Sequence, residues 1–456
     1  MKLTRFDLVA GGTLAALAAL LLGLVAAGDH IGARVASQTP ADGAEIGARA
    51  GVTITFAQPM QPDSVAAHFS LEPAVAGRAV WAGEVMRFVP DTPLEPGQTY
   101  TARLAAGALS SAGRAVQAPV SWSFTVRAPA LVYVSPATGG PPELWRVSAD
   151  GSTPAEQLTQ TGGKVFDFAV APDGRQVVYS AVNDANGIDL WRLPLDTGEP
   201  PTLLVDCGPD RCSAADWAPD GTRLAFSREE QGLTPNGPLG PPRVWTVTVP
   251  DGPAAPLYQD SQVLGYGPVW SPDGSRLAFF DGSVGGIRVL SVGTGEEQVL
   301  PTYMGLVGAF APDGQAMLFT DVQLQSEVVV SVLFRADFQT KAVTIPFGEG
   351  TGWSDYGTPA WSPDGAWLAV ALRDGSSSPS KQLWLMRPDG SEARALTAEP
   401  TFTHGAYHWD PWSRRLVIQR VELGVPFPKP ELVVWDMATN SERVVAVDAT
   451  LAQWLP

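Results

Sequence analysis

The chain has 456 residues, of which 45% are hydrophobic and 9% aromatic, with 47 glycines and 41 prolines. This share of core-forming side chains excludes a disordered chain, and the length predicts more than one domain. Residues 1–127 carry nine basic and nine acidic side chains, so residues 128–456 hold 21 of the 30 Lys and Arg and 38 of the 47 Asp and Glu, an acidity that argues against nucleic acid as a partner.

The first predicted element is a transmembrane helix within residues 1–29. Lys2 and Arg5 precede an apolar run from Leu8 to Ala27, which is long enough to span a bilayer. The two positive charges predict that the rest of the chain faces outwards. A cleaved secretory signal is the alternative, because small residues precede Gly28, but the length of the run favours an anchor. We therefore expect a membrane-anchored, extracytoplasmic protein at the cell surface or in the periplasm, or a secreted one if the segment is cleaved.

Residues 30–127 have the pattern of a β-sandwich. Short runs such as Val52–Phe56, Thr99–Leu104 and Val120–Val126 alternate apolar with polar residues, which is the period of a half-buried strand. Turn-forming residues such as Pro40-Ala41-Asp42-Gly43 separate the runs. Several short strands in so short a segment predict a sandwich.

Two motifs of this segment resemble bacterial Ig-like domains. They are Thr39-Pro40-Ala41-Asp42-Gly43-Ala44 and Leu94-Glu95-Pro96-Gly97-Gln98-Thr99-Tyr100-Thr101. The resemblance implies a spacer without chemistry of its own.

Residues 128–456 contain an internal repeat that predicts a β-propeller. An aromatic or apolar residue is followed by Ser or Ala and then by Pro-Asp-Gly, as in Trp217-Ala218-Pro219-Asp220-Gly221, and the prolines of successive copies lie 40 to 53 residues apart. This spacing is the length of a four-stranded blade. Pro and Asp take the centre of a turn that Gly closes with a positive φ. The turn aspartates, which we assign to structure, are Asp173, Asp220, Asp273, Asp313 and Asp364.

The two ends of this segment predict how the propeller closes. The first unit begins at Leu131 without a preceding Pro-Asp-Gly strand, and the chain ends in Ala452-Gln453-Trp454-Leu455-Pro456, which matches the start of the motif. We expect the strand around Trp454 to complete the blade that Leu131 begins. Counting units in this way gives an all-β fold with seven blades, with six or eight as alternatives.

The repeat resembles the TolB-like propeller repeats, a WD40-like class of the PD40 type, whose signature is Trp-Ser-Pro-Asp-Gly followed by a strand. Trp270-Ser271-Pro272-Asp273-Gly274 and Trp361-Ser362-Pro363-Asp364-Gly365 match it fully. The resemblance implies a propeller, and such propellers serve as docking platforms, as gating domains of peptidases and as lyases.

Cys207 and Cys212 are the only cysteines, and they flank a turn-forming Gly-Pro-Asp-Arg. In an exported domain this spacing predicts a local disulfide. Half of a zinc site is the alternative, but no second pair of ligands lies nearby in the sequence.

Metal sites have weak support. His404 and His408 with Asp410 are too far apart for one ion on an extended strand. The run Asn183–Asp189 is reminiscent of a short calcium loop, although it lacks a full set of spaced carboxylates, so a hairpin turn is the favoured interpretation. We expect no cofactor, with calcium as the remaining candidate.

Five aromatic residues stand outside the repeat and before predicted innermost strands: Tyr266, Trp353, Tyr356, Phe402 and Tyr407. They are the candidates for a binding rim around the central channel, with coverage of loop ends as the alternative. No nucleophile elbow is present, and only two of the four histidines lie in the propeller. The sequence therefore predicts a non-catalytic envelope protein that binds a protein, peptide or glycan. The alternative is a propeller enzyme, a lyase or a glycan-active one, that uses channel-rim carboxylates and a metal.

Overall fold

The computed structural model describes residues 5–28, 32–232, 234, 237–325, 328–347, 353–373 and 380–456. The chain divides into two compact units, Met1–Arg127 and Ala128–Pro456. Each unit is described by itself below. The expected boundary at residues 29 and 30 lies outside the described residues.

The first described element is helix α1 (Arg5–Gly28), whose side chains from residue 11 to residue 22 are exposed. Across the described part of the chain, no helix has the length and apolar character needed to cross a membrane. The structure therefore does not support the predicted transmembrane helix.

The first unit contains two four-stranded sheets. Its elements are β1 (Val35–Thr39), β2 (Ala44–Ile46), β3 (Val52–Phe56), α2 (Pro62–His68), β4 (Phe69–Glu72), β5 (Gly77–Ala82), β6 (Val85–Pro90), β7 (Thr99–Leu104) and β8 (Val120–Val126). The strand orders are β1-β3-β6-β5 and β2-β8-β7-β4. Alternate residues of β3 and β8, such as Ile54, Phe56 and Phe124, are almost fully buried. The alternation read from the sequence thus supplies the core of this unit.

The second unit is all-β and repeats one four-stranded arrangement. Its strands are β9 (Ala130–Ser135), β10 (Glu143–Ser148), β11 (Glu156–Gln157), β12 (Val165–Val170), β13 (Gln176–Val182), β14 (Ile188–Pro194), β15 (Thr202–Val205), β16 (Arg211–Trp217), β17 (Arg223–Glu229), β18 (Arg243–Thr248), β19 (Ala255–Pro256), β20 (Tyr266–Trp270), β21 (Arg276–Asp281), β22 (Gly286–Ser291), β23 (Glu297–Pro301), β24 (Ala309–Phe310), β25 (Ala316–Gln325), β26 (Val328–Asp337), β27 (Val343–Thr344), β28 (Ala360–Trp361), β29 (Leu368–Leu372), β30 (Gln382–Met386), β31 (Arg394–Ala395), β32 (Phe402–Trp409), β33 (Arg415–Glu422), β34 (Glu431–Asp436), β35 (Ser441–Val447) and β36 (Thr450–Leu455).

Consecutive strands pair antiparallel in groups of four, from β20–β23 to β32–β35. Strands β12–β19 form one eight-stranded sheet, because a single parallel pair, Ile188 opposite Arg211, joins two such groups. Core clusters lie between neighbouring groups. One of them packs Ala278 and Ile287 against Met317 and Phe319 of the next group. Each group therefore buries its faces against its neighbours, as the blades of a propeller do.

The last strand of the chain pairs with the first strand of the second unit. In the antiparallel β36–β9 pair, Trp454 lies opposite Leu131 and Leu455 opposite Ala130. The group β9–β11 thus takes its fourth strand from the C-terminus. The indole Nε1 of Trp454 also donates to the carbonyl oxygen of His408 at 2.8 Å, which ties this strand to β32.

The five Pro-Asp-Gly motifs form the turns that link the first and second strands of five groups, from β12–β13 to β28–β29. In the second copy, Asp220 Oδ1 accepts the N–H of Thr222 at 2.9 Å, and Gly221 has a φ of 70°. The same bond from the residue two positions later reaches the other four turn aspartates, Asp173, Asp273, Asp313 and Asp364. These carboxylates therefore satisfy backbone donors within their own turns.

Candidate ligand-binding site on the inner strands

The first strands of successive groups contact one another and carry the candidate site. We call β12, β16, β20, β24, β28, β32 and β36 the inner strands. Contacts join β36 to β12, β12 to β16, β16 to β20, β24 to β28, β28 to β32 and β32 to β36. Neighbouring groups can therefore contribute side chains to a shared site along these strands.

Of the five predicted rim aromatics, Tyr266 is the most open to solvent. Its side chain is 46% exposed at the start of β20. Phe402 is half-buried under the guanidinium of Arg420, whose carbon lies 4.3 Å from the ring centroid. Trp353 packs at 5.2 Å between ring centroids against Trp384.

Tyr356 and Tyr407 are buried, which corrects the expectation that they line an open rim. Tyr407 is 5% exposed, and its hydroxyl donates to the carbonyl of Thr358 at 2.5 Å and accepts the N–H of Ala371 at 2.8 Å. Tyr356 is 7% exposed in a core cluster. Both side chains fill the space between neighbouring groups: Tyr407 from the inner strand β32, and Tyr356 from the segment before β28.

The charges of two carboxylates act on the Tyr266 phenol. Desolvation by burial raises the pKa of Tyr266, and the charges of Asp167 and Glu229 raise it further. Glu229 ends β17, and Asp167 lies on the inner strand β12. We call Asp167, Glu229 and Tyr266 the Tyr266 site. It draws one side chain from each of three consecutive groups.

Asp167 is held in a defined position. Its Oδ1 accepts the hydroxyl of Ser180, the residue opposite it on β13, and its Oδ2 accepts the N–H of Ala214 from the next inner strand at 2.7 Å. Desolvation by burial raises the pKa of this carboxyl, and the two hydrogen bonds oppose that shift. A carboxylate that is partly dehydrated and fixed in place interacts more strongly with a cation than one in bulk water.

Bulges interrupt the inner strands at Ala214, whose N–H binds Asp167, and next to Tyr266. The register shifts in β16 between Ser213 and Asp216, where Ala214 has a φ of 51°, and in β20 between Tyr266 and Val269. A positive φ at alanine is costly and is found mostly where structure is held for function. Here it turns the N–H of Ala214 towards Asp167. The bulge in β16 could not be predicted from the sequence, since alanine gives no signal of a left-handed residue.

Further along the same strands, polar side chains bridge adjacent inner strands. Asp216 Oδ2 accepts the N–H of Trp270 at 2.7 Å. Gln453 accepts the N–H of Val170 at 3.0 Å and donates to the carbonyl of Phe168 at 2.9 Å. Asp216 keeps some contact with water but is closely surrounded by protein, and this desolvation raises its pKa to about 7. No sequence motif marks either residue as a bridge between strands.

Cys207 and Cys212 form a disulfide beside the Tyr266 site. Cys212 lies on β16, two residues before Ala214. The N–H of Cys207 donates to Asp189 Oδ1 at 2.8 Å, and this oxygen also accepts the side-chain amide of Asn183. The disulfide therefore fixes the start of the inner strand whose N–H binds Asp167.

The calcium-like run at Asn183 is a saturated turn. Asn183 Oδ1 accepts the N–H groups of Ala185 and Gly187, both at 2.9 Å. His404 is buried on β32, with its Nδ1 3.1 Å from the carbonyl oxygen of Lys381. Within the described residues there is no group of three or more His, Cys, Asp or Glu side chains that could hold a metal ion.

Comparison with known proteins bears on the first unit most directly. Residues 29–126 match the bacterial Ig-like domain family. The resemblance predicted from the motifs at Pro40 and Pro96 is confirmed, and residues 29–126 have the sequence of such a domain.

Part of the chain is similar in sequence to a bacterial protein. An uncharacterized peptidase, YuxL, of Bacillus subtilis (strain 168) is 26% identical over 194 residues, which is 34% of this chain and 28% of the relative. The similarity therefore spans little more than a quarter of that protein. This relative is named as a peptidase. The prediction that the chain is not an enzyme is therefore wrong, because enzymatic activity can no longer be excluded.

Solved structures with a similar fold include TolB from Acinetobacter baumannii, as the Pro-Asp-Gly repeat predicts. It is 16% identical, with 73% of this chain and 81% of that chain covered and a TM-score of 0.41. A prolyl endopeptidase is 11% identical, with 86% of this chain and 52% of that chain covered and a TM-score of 0.49.

Proposed function

We propose that the protein is an exported propeller that binds a protein or peptide partner through a cationic group of that partner. The observation that carries this proposal is the Tyr266 site, where a partly exposed phenol is subject to the charges of two carboxylates from the two preceding groups. An ammonium or guanidinium group is attracted by the carboxylates and by the face of the ring. The excess of acidic side chains in residues 128–456 would steer such a partner to the propeller.

The proposal includes a propeller of seven blades. The pairing order supports this number if the eight-stranded sheet is counted as two blades, because only one residue pair joins its halves. The fourth strand of the group β9–β11 comes from β36. In this arrangement the Tyr266 site belongs to three consecutive blades.

An extracytoplasmic location is part of the same proposal. The disulfide between Cys207 and Cys212 supports it, since disulfides persist in oxidising compartments and are rare in the cytosol. An Ig-like domain before the propeller would act as a spacer between the propeller and its point of attachment. The partner would then be an envelope protein or peptide; a glycan without amino groups fits the acidic site less well.

A second candidate is a role in peptide processing. It rests on the similarity of 194 residues to a protein named as a peptidase. If the protein processes peptides, the Tyr266 site would hold a basic residue or the free amino terminus of the substrate. Incubation of the purified chain with basic peptides, followed by mass spectrometry, tests for cleavage directly.

Binding is tested with lysine- and arginine-containing peptides against matched peptides in which these residues are glutamate, by titration calorimetry on the full chain. We expect the basic set to bind, with an affinity that falls as salt is added. Tyr266→Ala and Asp167→Asn should each weaken binding by about tenfold, a loss of about 1.4 kcal/mol.

Tyr303→Ala is the matched control, because Tyr303 is 90% exposed and lies outside the Tyr266 site. It should bind like the unmodified chain. Equal affinity for the acidic peptides, or equal effects of the two tyrosine substitutions, would contradict the proposal.

A further inference from the structure

One residue of each inner strand lies immediately before the aromatic or apolar residue that opens the repeat motif. The strand pairing places this residue at the same register in all seven groups. In four inner strands its side chain is small and apolar: Ala169, Val269, Ala309 and Ala360. In the other three it is polar: Asp216, His408 and Gln453. Among these seven positions, Asp216 alone carries a carboxylate.

The charge of Asp216 exceeds what the backbone of the inner strands requires. Gln453 accepts an N–H of the next inner strand through a neutral amide, as Asp216 does through Oδ2. Desolvation raises the pKa of Asp216 to about 7, so the fold opposes ionisation at this position. A charge that lowers stability without a structural role is typical of a functional site.

Asp216 lies further along the inner strands than the Tyr266 site. The N–H of Ala214 binds Asp167 at 2.7 Å, and Asp216 follows Ala214 by two residues on β16. The Oδ2 of Asp216 accepts the N–H of Trp270, which is four residues after Tyr266 on β20. At strand rise, Asp167 and Asp216 are therefore offset by about 6–7 Å along the strands.

The strands between Tyr266 and Asp216 are acidic. Apart from the disulfide cysteine, the other ionisable side chains of β12, β16 and β20 are Asp167, Arg211 and Tyr266. Arg211 is exposed at the start of β16, directly opposite Glu229. Asp216 is only half-buried, so it is not sealed from solvent. A cation that passes Tyr266 therefore finds a second carboxylate beyond Asp167.

We propose that Asp216 is a specificity-determining residue of the Tyr266 site, and that the site takes a peptide whose free amino-terminal residue is lysine or arginine. The α-ammonium binds at Asp167, and the side-chain cation reaches Asp216. The four methylene groups of an extended lysine separate its two ammonium groups by about the offset between these carboxylates. The rest of the peptide leaves past Tyr266, the most exposed side chain of the predicted rim aromatics.

Because it names the partner of the Tyr266 site, this proposal rests on the proposed function. It is tested by titration calorimetry on the full chain with four peptides that differ only in their first residue. This residue is lysine or norleucine, each with a free or an acetylated amino group. We expect the free lysine peptide to bind most tightly, and loss of either cation to weaken binding by about tenfold.

Asp216→Asn separates the two cations, because asparagine keeps an oxygen for the N–H of Trp270. It should weaken binding of the free lysine peptide by about tenfold and leave the affinity for the free norleucine peptide unchanged. Asp251→Asn is the control: Asp251 is exposed in the turn after β18, and its substitution removes the same charge from the chain. This variant should bind all four peptides like the unmodified chain.

Two results would overturn the role of Asp216 and leave the proposed function standing. One is equal affinity for the free and acetylated lysine peptides. The other is an Asp216→Asn variant that binds the lysine peptide as the unmodified chain does, or loses affinity for the lysine and norleucine peptides alike. If no basic peptide binds the unmodified chain, the proposed function and the role of Asp216 are overturned together.

Discussion

Asp216 and Gln453 occupy equivalent positions, each immediately before the tryptophan of its inner strand. Each accepts a backbone N–H of the next inner strand, from Trp270 and Val170 respectively. The hydrogen bond needs only an oxygen, which a neutral amide supplies as well as a carboxylate. Asp216 therefore adds a charge that this structural role does not require, at a position where desolvation opposes ionisation.

This charge predicts a loss of stability as the pH rises. The pKa of Asp216 is raised from 3.8 to about 7, so the folded chain binds the proton more tightly than the unfolded chain. Its contribution to stability is full below about pH 4, falls between about pH 4 and pH 7, and is lost above pH 7, by up to roughly 4 kcal/mol. Asp216→Asn should raise the free energy of unfolding at pH 8 and leave it nearly unchanged at pH 4. Urea unfolding at the two pH values measures the difference.

Gln453→Glu is the reciprocal control. It introduces a carboxyl at the equivalent position, so the free energy of unfolding should fall at pH 8 relative to the unmodified chain and change less at pH 4. If both substitutions shift stability equally at the two pH values, ionisation is not the cause.

The disulfide predicts a second effect at the scale of residues. It closes a short loop between Cys207 and Cys212, and a loop of this size contributes about 2 kcal/mol through the entropy of the unfolded chain. The double substitution Cys207→Ala with Cys212→Ala should lower the free energy of unfolding by this amount. It should also remove the effect of added reductant, whereas the unmodified chain should lose stability when reduced.

Sequence alone identifies which aromatics interrupt the repeat but not where they point. Tyr266 and Tyr407 both precede the tryptophan of an inner strand, yet one is 46% and the other 5% exposed. A bulge at Gly267 in one strand and one between His404 and Tyr407 in the other decide the direction. The direction depends on backbone geometry that the residue types do not encode.

At the scale of elements, the Pro-Asp-Gly turns repeat the same bonds in every copy. The N–H of the glycine donates to the residue three positions before it, as Gly221 does to Ala218 at 2.9 Å. The glycines of the five copies have φ between 66° and 72°. Each turn lies between two paired strands and sets their register. Its backbone conformation therefore matters more than its side chains.

Gly221→Ala isolates this conformation. A Cβ at Gly221 would meet no atom within 4 Å, so the cost comes from the positive φ alone. We expect the free energy of unfolding to fall by about 1 kcal/mol. Gly293→Ala is the control, since a Cβ there also meets nothing within 4 Å and its φ lies outside the left-handed region. Equal effects of the two substitutions in urea unfolding would show that backbone strain is not responsible.

These turns could be predicted because Pro, Asp and Gly each have a specific backbone role. The bulges in β16 and β36 could not, since Ala214 and Leu451 adopt φ values of 51° and 57° without a glycine. The length of the β25–β26 hairpin was also missed, because its run of valines has no turn signal that marks where the neighbouring strands stop.

At the scale of the whole molecule, the ring depends on the pairing of its two ends. The motif fragment around Trp454 and the incomplete first unit at Leu131 made this pairing predictable, and the two residues lie opposite one another. Trp454 and Trp409 have equivalent environments. They are 6% and 8% exposed, and each indole donates to a carbonyl of the preceding inner strand.

The difference between these tryptophans lies in the connectivity of their strands. β32 continues into β33, the strand it pairs with, through a turn, whereas no turn joins β36 to its partner β9, so non-covalent contacts alone hold that pair together. Trp409→Ala and Trp454→Ala should each lower the free energy of unfolding by about 3–5 kcal/mol through loss of packing. In addition, Trp454→Ala should release β36, so limited proteolysis should remove the C-terminal segment before any other part of the propeller is cut. The Trp409→Ala variant should not show this early cleavage. If both variants give the same order of fragments, the C-terminal strand is not the weakest point of the ring, and closure contributes no more to its integrity than any other contact between groups.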